Sequence, residues 1–245
     1  MRLQASVRTI LLGLFFAVVL VLVIPVLAAC ALAGRRDPII RIGQWAVRVG
    51  CRILGIRVEV SGLEGIDPGA PFIFMANHVS LLDGPLVATF VGRPVRIILK
   101  KSIFWIPVLG TGMRFVGFVP VDRKGAKGGQ KSIRRAARLI REKGYSFLVF
   151  PEGTRSRDGK AGPFRRGGFF LALESGVPIV PVTIAGSFEL MPRGQWYACS
   201  GIIRIAFHEP VSVDGCTVET MGALMEKVRG AIIGAGARAA PSAIS

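Results

Sequence analysis

Between Arg8 and Arg35 the sequence carries no charged residue, and 9-TILLGLFFAVVLVLVIPVLAACALAG-34 is apolar almost throughout. As a helix at ~1.5 Å per residue this run is roughly 39 Å long, against ~30 Å for the hydrocarbon core of a bilayer. Lipid or the rest of the fold has to cover such a segment. It is long enough to cross a membrane with tilt, and Pro25 offers a kink that would turn it instead into a shallow re-entrant or interfacial hairpin. Arg2 and Arg8 precede it, whereas Arg35, Arg36, Arg41 and Arg48 follow it. By the positive-inside tendency the more heavily charged C-terminal flank stays cytoplasmic. The stretches 27-LAAC-30 and 31-ALA-33 mimic a lipoprotein box and a signal-peptidase site. Retention is nevertheless the expected outcome, because the run exceeds the roughly 7–15 residues of a signal core and a basic segment directly behind it opposes translocation.

That segment, 38-PIIRIGQWAVRVGCRILGI-56, has helical periodicity. Arg41, Gln44, Arg48 and Arg52 share one side, and Ile42, Trp45, Ala46, Val49 and Ile53 the other. A basic amphipathic helix with a tryptophan suits the surface of an anionic bilayer, and the same pattern also serves a helix packed on a domain with solvated arginines. Residues 1–55 therefore read as a membrane anchor of one hydrophobic and one amphipathic helix.

The whole chain of 245 residues holds 32 Lys+Arg against 15 Asp+Glu, a net charge of +17. Such a surface calls for anionic company: nucleic acid, anionic lipid headgroups or a phosphorylated substrate. No nucleic-acid module is recognisable and the arginines are dispersed over a lipid-directed chain, which disfavours the first. Cys30, Cys51, Cys199 and Cys216 form no CxxC pair and no disulfide framework, as expected of a reduced, cytosol-facing domain, and no Cys/His cluster suggests a metal.

Beyond Gly55, short β-branched or aromatic runs alternate with helical patterns. Strands are expected at 57–60, 72–76, 96–99, 116–121, 146–150, 179–184 and 202–207, and helices around 82–91, 129–142, 166–175 and 217–233. This alternation predicts one α/β domain over 56–233 with a mixed, largely parallel sheet flanked by helices. The last stretch, 234–245, reads as a flexible tail. Pro120, inside the fourth run, removes a ladder donor and predicts a bulge or an edge position.

Functional side chains of α/β sheets gather beyond the carboxyl ends of strands. Three polar clusters stand at such places: Asn77-His78, Asp122-Arg123 and Glu152-Gly153-Thr154-Arg155. An imidazole can take a proton from a hydroxyl while a carboxylate on its other nitrogen fixes the tautomer, and His78 with Asp83 supplies such a pair. A spacing of five places His78 on the loop and Asp83 in the first helical turn. No G-x-S-x-G elbow exists, so the nucleophile is expected to be a substrate hydroxyl rather than a protein serine. Arg123, Arg155, Lys100 and Lys101 offer cations for a phosphate, and the turn at Glu152-Gly153 offers backbone donors. The segment 125-GAKGGQKS-132 mimics a phosphate-binding P-loop, but Gln130 replaces its second glycine, and it reads as a mobile basic loop leading into a helix.

In order along the chain, Asn77-His78-x4-Asp83, 117-GFVPVDR-123, 150-FPEGTRS-156 and 177-VPIVPV-182 resemble the four blocks of the glycerolipid acyltransferases, in particular the bacterial 1-acyl-glycerol-3-phosphate acyltransferases. The similarity runs from about residue 55 to residue 211. It implies an αβ acyltransferase core with an N-terminal two-helix membrane-binding motif. It also implies transfer of an acyl chain from a thioester, acyl-CoA or acyl-ACP, to the sn-2 hydroxyl of lysophosphatidic acid, giving phosphatidic acid with no cofactor. His78 would be the general base and Asp83 its orienting partner. Arg123, Glu152, Gly153, Thr154 and Arg155 would hold the glycerol-phosphate end, with Lys100 and Lys101 nearby, and Pro181 would lie toward the acyl chain. Donors near Gly153 or the Asn77 amide would meet the oxyanion. Expected partners are lysophosphatidic acid, the acyl thioester, anionic membrane lipids and acyl carrier protein, at the bacterial inner membrane with the catalytic domain facing the cytoplasm. Two alternatives stay open: another lysolipid acceptor such as a lyso-ornithine lipid, and a non-catalytic, membrane-tethered module that binds anionic lipid.

Overall fold

The structure, a computed structural model, describes residues 2–121 and 126–239, the side chains of 126–127 and 235–239 excepted. Helix α1 (Arg2–Leu32) and helix α2 (Asp37–Leu54) form an antiparallel hairpin, closed by Gly34 in the left-handed region, φ 66°. Then come β1 (Ile56–Ser61), β2 (Ile73–Ala76), α3 (Asp83–Phe90) and β3 (Val95–Lys100), followed by a 3-10 turn (Lys101–Trp105). Helix α4 (Leu109–Phe115), β4 (Val119–Val121), α5 (Ala126–Lys143), β5 (Ser146–Val149) and α6 (Gly167–Ser175) continue the chain. It closes with β6 (Ile179–Ala185), α7 (Ser187–Leu190), β7 (Gly201–Phe207) and α8 (Met221–Ala239).

Seven strands make one mixed sheet in the order β1-β7-β6-β2-β5-β3-β4. Strand β2 is parallel to both β5 and β6, β3 to β4 and β5, and β1 to β7, whereas β6 meets β7 antiparallel. Each expected strand is present. The α/β architecture follows from the sequence of β2, whose four residues Ile73, Phe74, Met75 and Ala76 are all buried. Alternation sends Phe74 and Ala76 to one face, where they pack with Leu54 of α2, Leu86 and Val87 of α3, and Val182 of β6. Ile73 and Met75 go to the other, against Ala136 and Ile140 of α5, Phe169 of α6 and Val228 of α8. A strand apolar on both sides is stable only between two helical layers.

Strand β4 is shorter than expected and lies at the sheet's edge, as Pro120 requires. Gly117, at φ 94°, turns the chain immediately before it, so Val116 and Gly117 belong to the turn. The segment read as a mobile basic loop is helical from Ala126 onward. At the end of the chain, α8 extends past residue 233 to Ala239, so the first part of the expected tail is helix.

Helix α1 is the one described helix long and apolar enough to cross a membrane, and its outward face, including Leu11, Leu14, Val18, Val21 and Leu22, is exposed. It also touches the αβ domain at both ends. Near its start, Arg8 donates to the Leu54 carbonyl and the Thr9 hydroxyl accepts from the Ala198 N–H at 3.0 Å. Near its finish, Leu27 lies over Gly112 of α4 and Cys30 is buried. Along α2, Gln44 and Arg48 face α3, donating to the carbonyls of Ala88, Thr89 and Arg93, while Trp45 stays half exposed beside Phe15. Part of the face read as lipid-directed is thus used to hold α2 on the domain.

Candidate active site

The loop after β2 places His78 at the carboxyl end of the sheet. Both peptide groups of this histidine are held by the loop after the neighbouring β5. Its N–H donates to Glu152 Oε1 at 2.8 Å, and its carbonyl accepts from the Ser156 N–H at 2.8 Å. The ring stacks on Phe150, with centroids 4.0 Å apart and planes 19° from parallel. Its backbone and one ring face fixed, the imidazole has little freedom except along its edge.

One edge atom, Nδ1, lies 3.0 Å from Asp83 Oδ2. Asp83 opens α3 and is wholly buried. The same oxygen accepts the backbone N–H groups of Val79 at 2.8 Å and Ser80 at 2.7 Å, and Oδ1 accepts the Ser187 hydroxyl at 2.6 Å. With two amide donors already on Oδ2, the contact to Nδ1 is satisfied by a proton on the ring, which leaves the lone pair on Nε2. The side chain of His78 keeps 18% of its surface, and Nε2 makes no hydrogen bond among the described residues.

Ser187 gives no sign of this part in the sequence. It follows Gly186, whose φ of 88° turns β6 sharply into α7, where an added Cβ would strike the Ile202 carbonyl. A glycine there lets the chain bring a serine back onto a carboxylate 104 residues away.

Two residues expected at the substrate have their polar atoms turned to the protein's own backbone. The Asn77 amide donates to the Ile184 carbonyl at 2.9 Å and accepts the Ile184 N–H at 2.8 Å, tying β2 to β6 where the ladder ends. Its carbonyl and one amide proton are therefore already engaged. Glu152 is buried, with Oε1 on His78 N–H and Oε2 accepting Gly162 N–H at 2.9 Å. Burial raises its carboxyl above the ordinary glutamate value, and these two donors pull it partly back. Glu152 thereby joins the His78 loop to the segment entering α6. In Glu152→Gln one of the two N–H groups must face the amide NH₂. The expected cost is about 1–3 kcal/mol of stability, read from urea unfolding, together with lower turnover because His78 is released.

The Gly153 N–H, expected to face an anion, donates to the Phe150 carbonyl at 3.0 Å to close the turn. Thr154 is exposed and Arg155 partly buried. Both line a cavity of about 340 Å³ with Glu152, Arg157, Lys160 and Arg165. Lys100 and Lys101 are exposed where β3 passes into the 3-10 turn. Pro181 is buried in β6 beside Met75, where its carbonyl accepts the His208 N–H. Arg123 lies outside the described residues. No group of three or more metal-binding side chains occurs among the described residues.

The second histidine serves elsewhere. His208 Nε2 is 2.8 Å from the Thr183 hydroxyl, which itself donates to the Ile232 carbonyl of α8. Burial lowers its proton affinity below the ordinary imidazole value. As the pH falls through that ordinary value, about 6.5, the unfolded chain takes the proton first, so the stability this group contributes is complete above it and lost below. Melting temperatures across this range should fall less steeply for His208→Gln than for the wild type.

The acyltransferase family model matches residues 57–185, from β1 to the end of β6. The chain is 36% identical over 157 residues to the chloroplastic 1-acyl-sn-glycerol-3-phosphate acyltransferase BAT2 of Brassica napus, a match covering 63% of this chain and 45% of that protein. The chain thus spans less than half the length of that relative. To the human 1-acyl-sn-glycerol-3-phosphate acyltransferase alpha it is 31% identical over 210 residues, covering 85% of this chain and 73% of the human one. The crystal structure of the 1-acyl-sn-glycerophosphate (LPA) acyltransferase PlsC from Thermotoga maritima superposes with a TM-score of 0.79 at 27% identity, over 98% of this chain and all of that one. The matched segment contains His78, Asp83 and Glu152, and the likeness in fold extends over the α1–α2 hairpin as well as the sheet: this chain belongs to the acyltransferase family.

Proposed function

We propose that the protein transfers a fatty acyl chain from an acyl thioester to the sn-2 hydroxyl of 1-acyl-glycerol-3-phosphate, forming phosphatidic acid. The observation that carries this reading is the His78–Asp83 pair, held at 3.0 Å with Nε2 free of hydrogen bonds among the described residues, and tied through Glu152 and Ser156 to a cavity lined by Arg155, Arg157, Lys160 and Arg165 as well as Asp158. Nε2 takes the proton of the acceptor hydroxyl as its oxygen attacks the thioester carbonyl. Asp83 keeps the ring in the tautomer that makes this possible and stabilises the imidazolium that results. The tetrahedral intermediate then collapses, the C–S bond breaks, and the proton passes from the imidazolium to the departing thiolate. The acyl group passes directly to the acceptor, with no acyl-enzyme.

The cation-lined cavity supports a phosphorylated acceptor, with Arg155 and Arg123 as the phosphate partners and Lys100 and Lys101 at the approach. Coenzyme A and acyl carrier protein are both chemically competent thiol carriers for the donor. The exposed apolar face of α1, with Trp45 and Trp105 also exposed, supports docking on a membrane surface, and the arginines that follow α1 favour the cytoplasmic face of the inner membrane. Because α1 touches the domain at both ends, it fits an orientation along the bilayer surface better than one straight across it.

A competition among lysolipid acceptors tests the substrate. With one labelled acyl-CoA and equal amounts of lysophosphatidic acid, lysophosphatidylcholine and a lyso-ornithine lipid, phosphatidic acid should dominate the products. A product formed chiefly from an acceptor without a phosphate would overturn the assignment of the arginines while leaving the chemistry of His78 in place.

A further inference from the structure

At the α1–α2 turn the protein has a second cation-lined cleft, of about 600 Å³, bordered by Gly34, Arg35, Arg36, Asp37, Arg41 and Tyr145. It belongs to the opposite end of the sheet from His78: Tyr145 directly precedes β5, whereas His78 follows the parallel strand β2. Asp37 is the one acidic residue on its border, and its charge is matched by the buried Arg96, 3.1 Å away. Arg35, Arg36 and Arg41 have no carboxylate within ion-pair distance among the described residues. Three positive charges thus face one open space without compensation.

The cleft is also held in shape. The Arg96 guanidinium lies 3.4 Å from the centre of the Tyr145 ring and donates to the Val116 carbonyl, which fixes the tyrosine against the end of the sheet. The Tyr145 hydroxyl in turn accepts from Arg36 Nη1 at 3.4 Å, and the Arg36 guanidinium rests 5.8 Å from the centre of the Phe115 ring. A guanidinium positioned in this way presents its remaining N–H groups as a fork, the arrangement that suits phosphate oxygens.

We propose that this cleft binds the phosphate headgroup of an anionic phospholipid, and so anchors the α1–α2 turn to the membrane surface. The inference rests on the membrane-docking reading above. A lipid is favoured over a free anion because the cleft adjoins the end of α1, where Val26 and Leu32 are exposed and can meet acyl chains while the arginines hold the headgroup. Its distance from His78 makes it a docking site rather than part of the acyl-transfer chemistry.

Native mass spectrometry of the full-length protein released from detergent micelles tests this without any turnover, so its outcome is independent of the acyl-transfer reading. Phosphatidylglycerol, phosphatidylcholine and inorganic phosphate serve as probes. The wild type should retain phosphatidylglycerol over phosphatidylcholine by about tenfold or more, a preference of the size expected for a few arginines at a lipid surface. The R35Q/R36Q/R41Q protein, checked for fold by circular dichroism, should lose that preference, and R155Q should keep it. No preference in the wild type, or an undiminished one in the triple variant, would overturn the proposal. Loss of the preference in R155Q would move the bound lipid to the active site and overturn it equally. Displacement of phosphatidylglycerol by equimolar inorganic phosphate would make the cleft a free-anion site and contradict the lipid assignment.

Discussion

Replacement of His78 by alanine should reduce acyl transfer by about 10²–10⁴-fold, the usual contribution of a positioned general base, while the protein remains folded. The two parts of this expectation come from different atoms. Nε2 makes no hydrogen bond within the described protein, so its loss falls on chemistry. The contacts that knit the His78 loop to the β5 loop use the residue's backbone, on Glu152 and Ser156, and alanine retains them. Circular dichroism, urea unfolding and turnover on the same preparation separate the two. A variant with near wild-type turnover would exclude His78 as the base, and an unfolded variant would show that the ring, stacked on Phe150, carries the loop.

Asp83→Asn should fold and yet be almost inactive, and the reason lies in Ser187. Three donors converge on Asp83 Oδ2, so an asparagine must place its carbonyl oxygen there. Its NH₂ then points at the Ser187 hydroxyl, which can rotate from donor to acceptor. The fold is thereby spared, but the negative charge that stabilises the imidazolium is gone. The double variant Asp83→Asn/Ser187→Ala has no acceptor for that NH₂ in a fully buried site, and should lose a further ~1–3 kcal/mol of stability. Denaturant unfolding of Asp83→Asn and of the double variant measures this loss. A double variant as stable as Asp83→Asn would contradict the reorientation of Ser187.

The parts of the fold legible in the sequence are those set by local pattern. The run 72-FIFMA-76 announces a strand buried on both faces, and Pro120 announces an edge. Helix α4 was not legible, because LGTGMRF carries two glycines and no apolar stripe. Gly110 is needed there, since any Cβ would strike the Phe104 carbonyl of the preceding turn. Arg96 was hidden inside the apolar run 96-RIIL-99, and its burial is made tolerable by partners remote in sequence: Asp37, Tyr145 and the Val116 carbonyl.

The site divides in the same way. The spacing of His78 and Asp83 was readable because a loop followed by a helical first turn fixes their geometry locally. The family resemblance implies that Glu152 meets the glycerol-phosphate end and Asn77 the oxyanion. Their side chains instead satisfy peptide groups of other loops and strands, Gly162 and Ile184 among them, which only the folded chain brings near. Ser187 is the extreme case: its partner is remote in sequence, and a lone serine after a glycine has no signature.

The most direct test is to incubate the purified protein with radiolabelled oleoyl-coenzyme A, with and without lysophosphatidic acid, and to follow labelled lipid and free thiol together. Labelled phosphatidic acid forming in step with coenzyme A release, and neither appearing without the acceptor, is the result expected of a direct transfer driven by His78. Absence of labelled phosphatidic acid would contradict the proposed reaction, and a stoichiometric burst of free thiol in the absence of acceptor would contradict its mechanism.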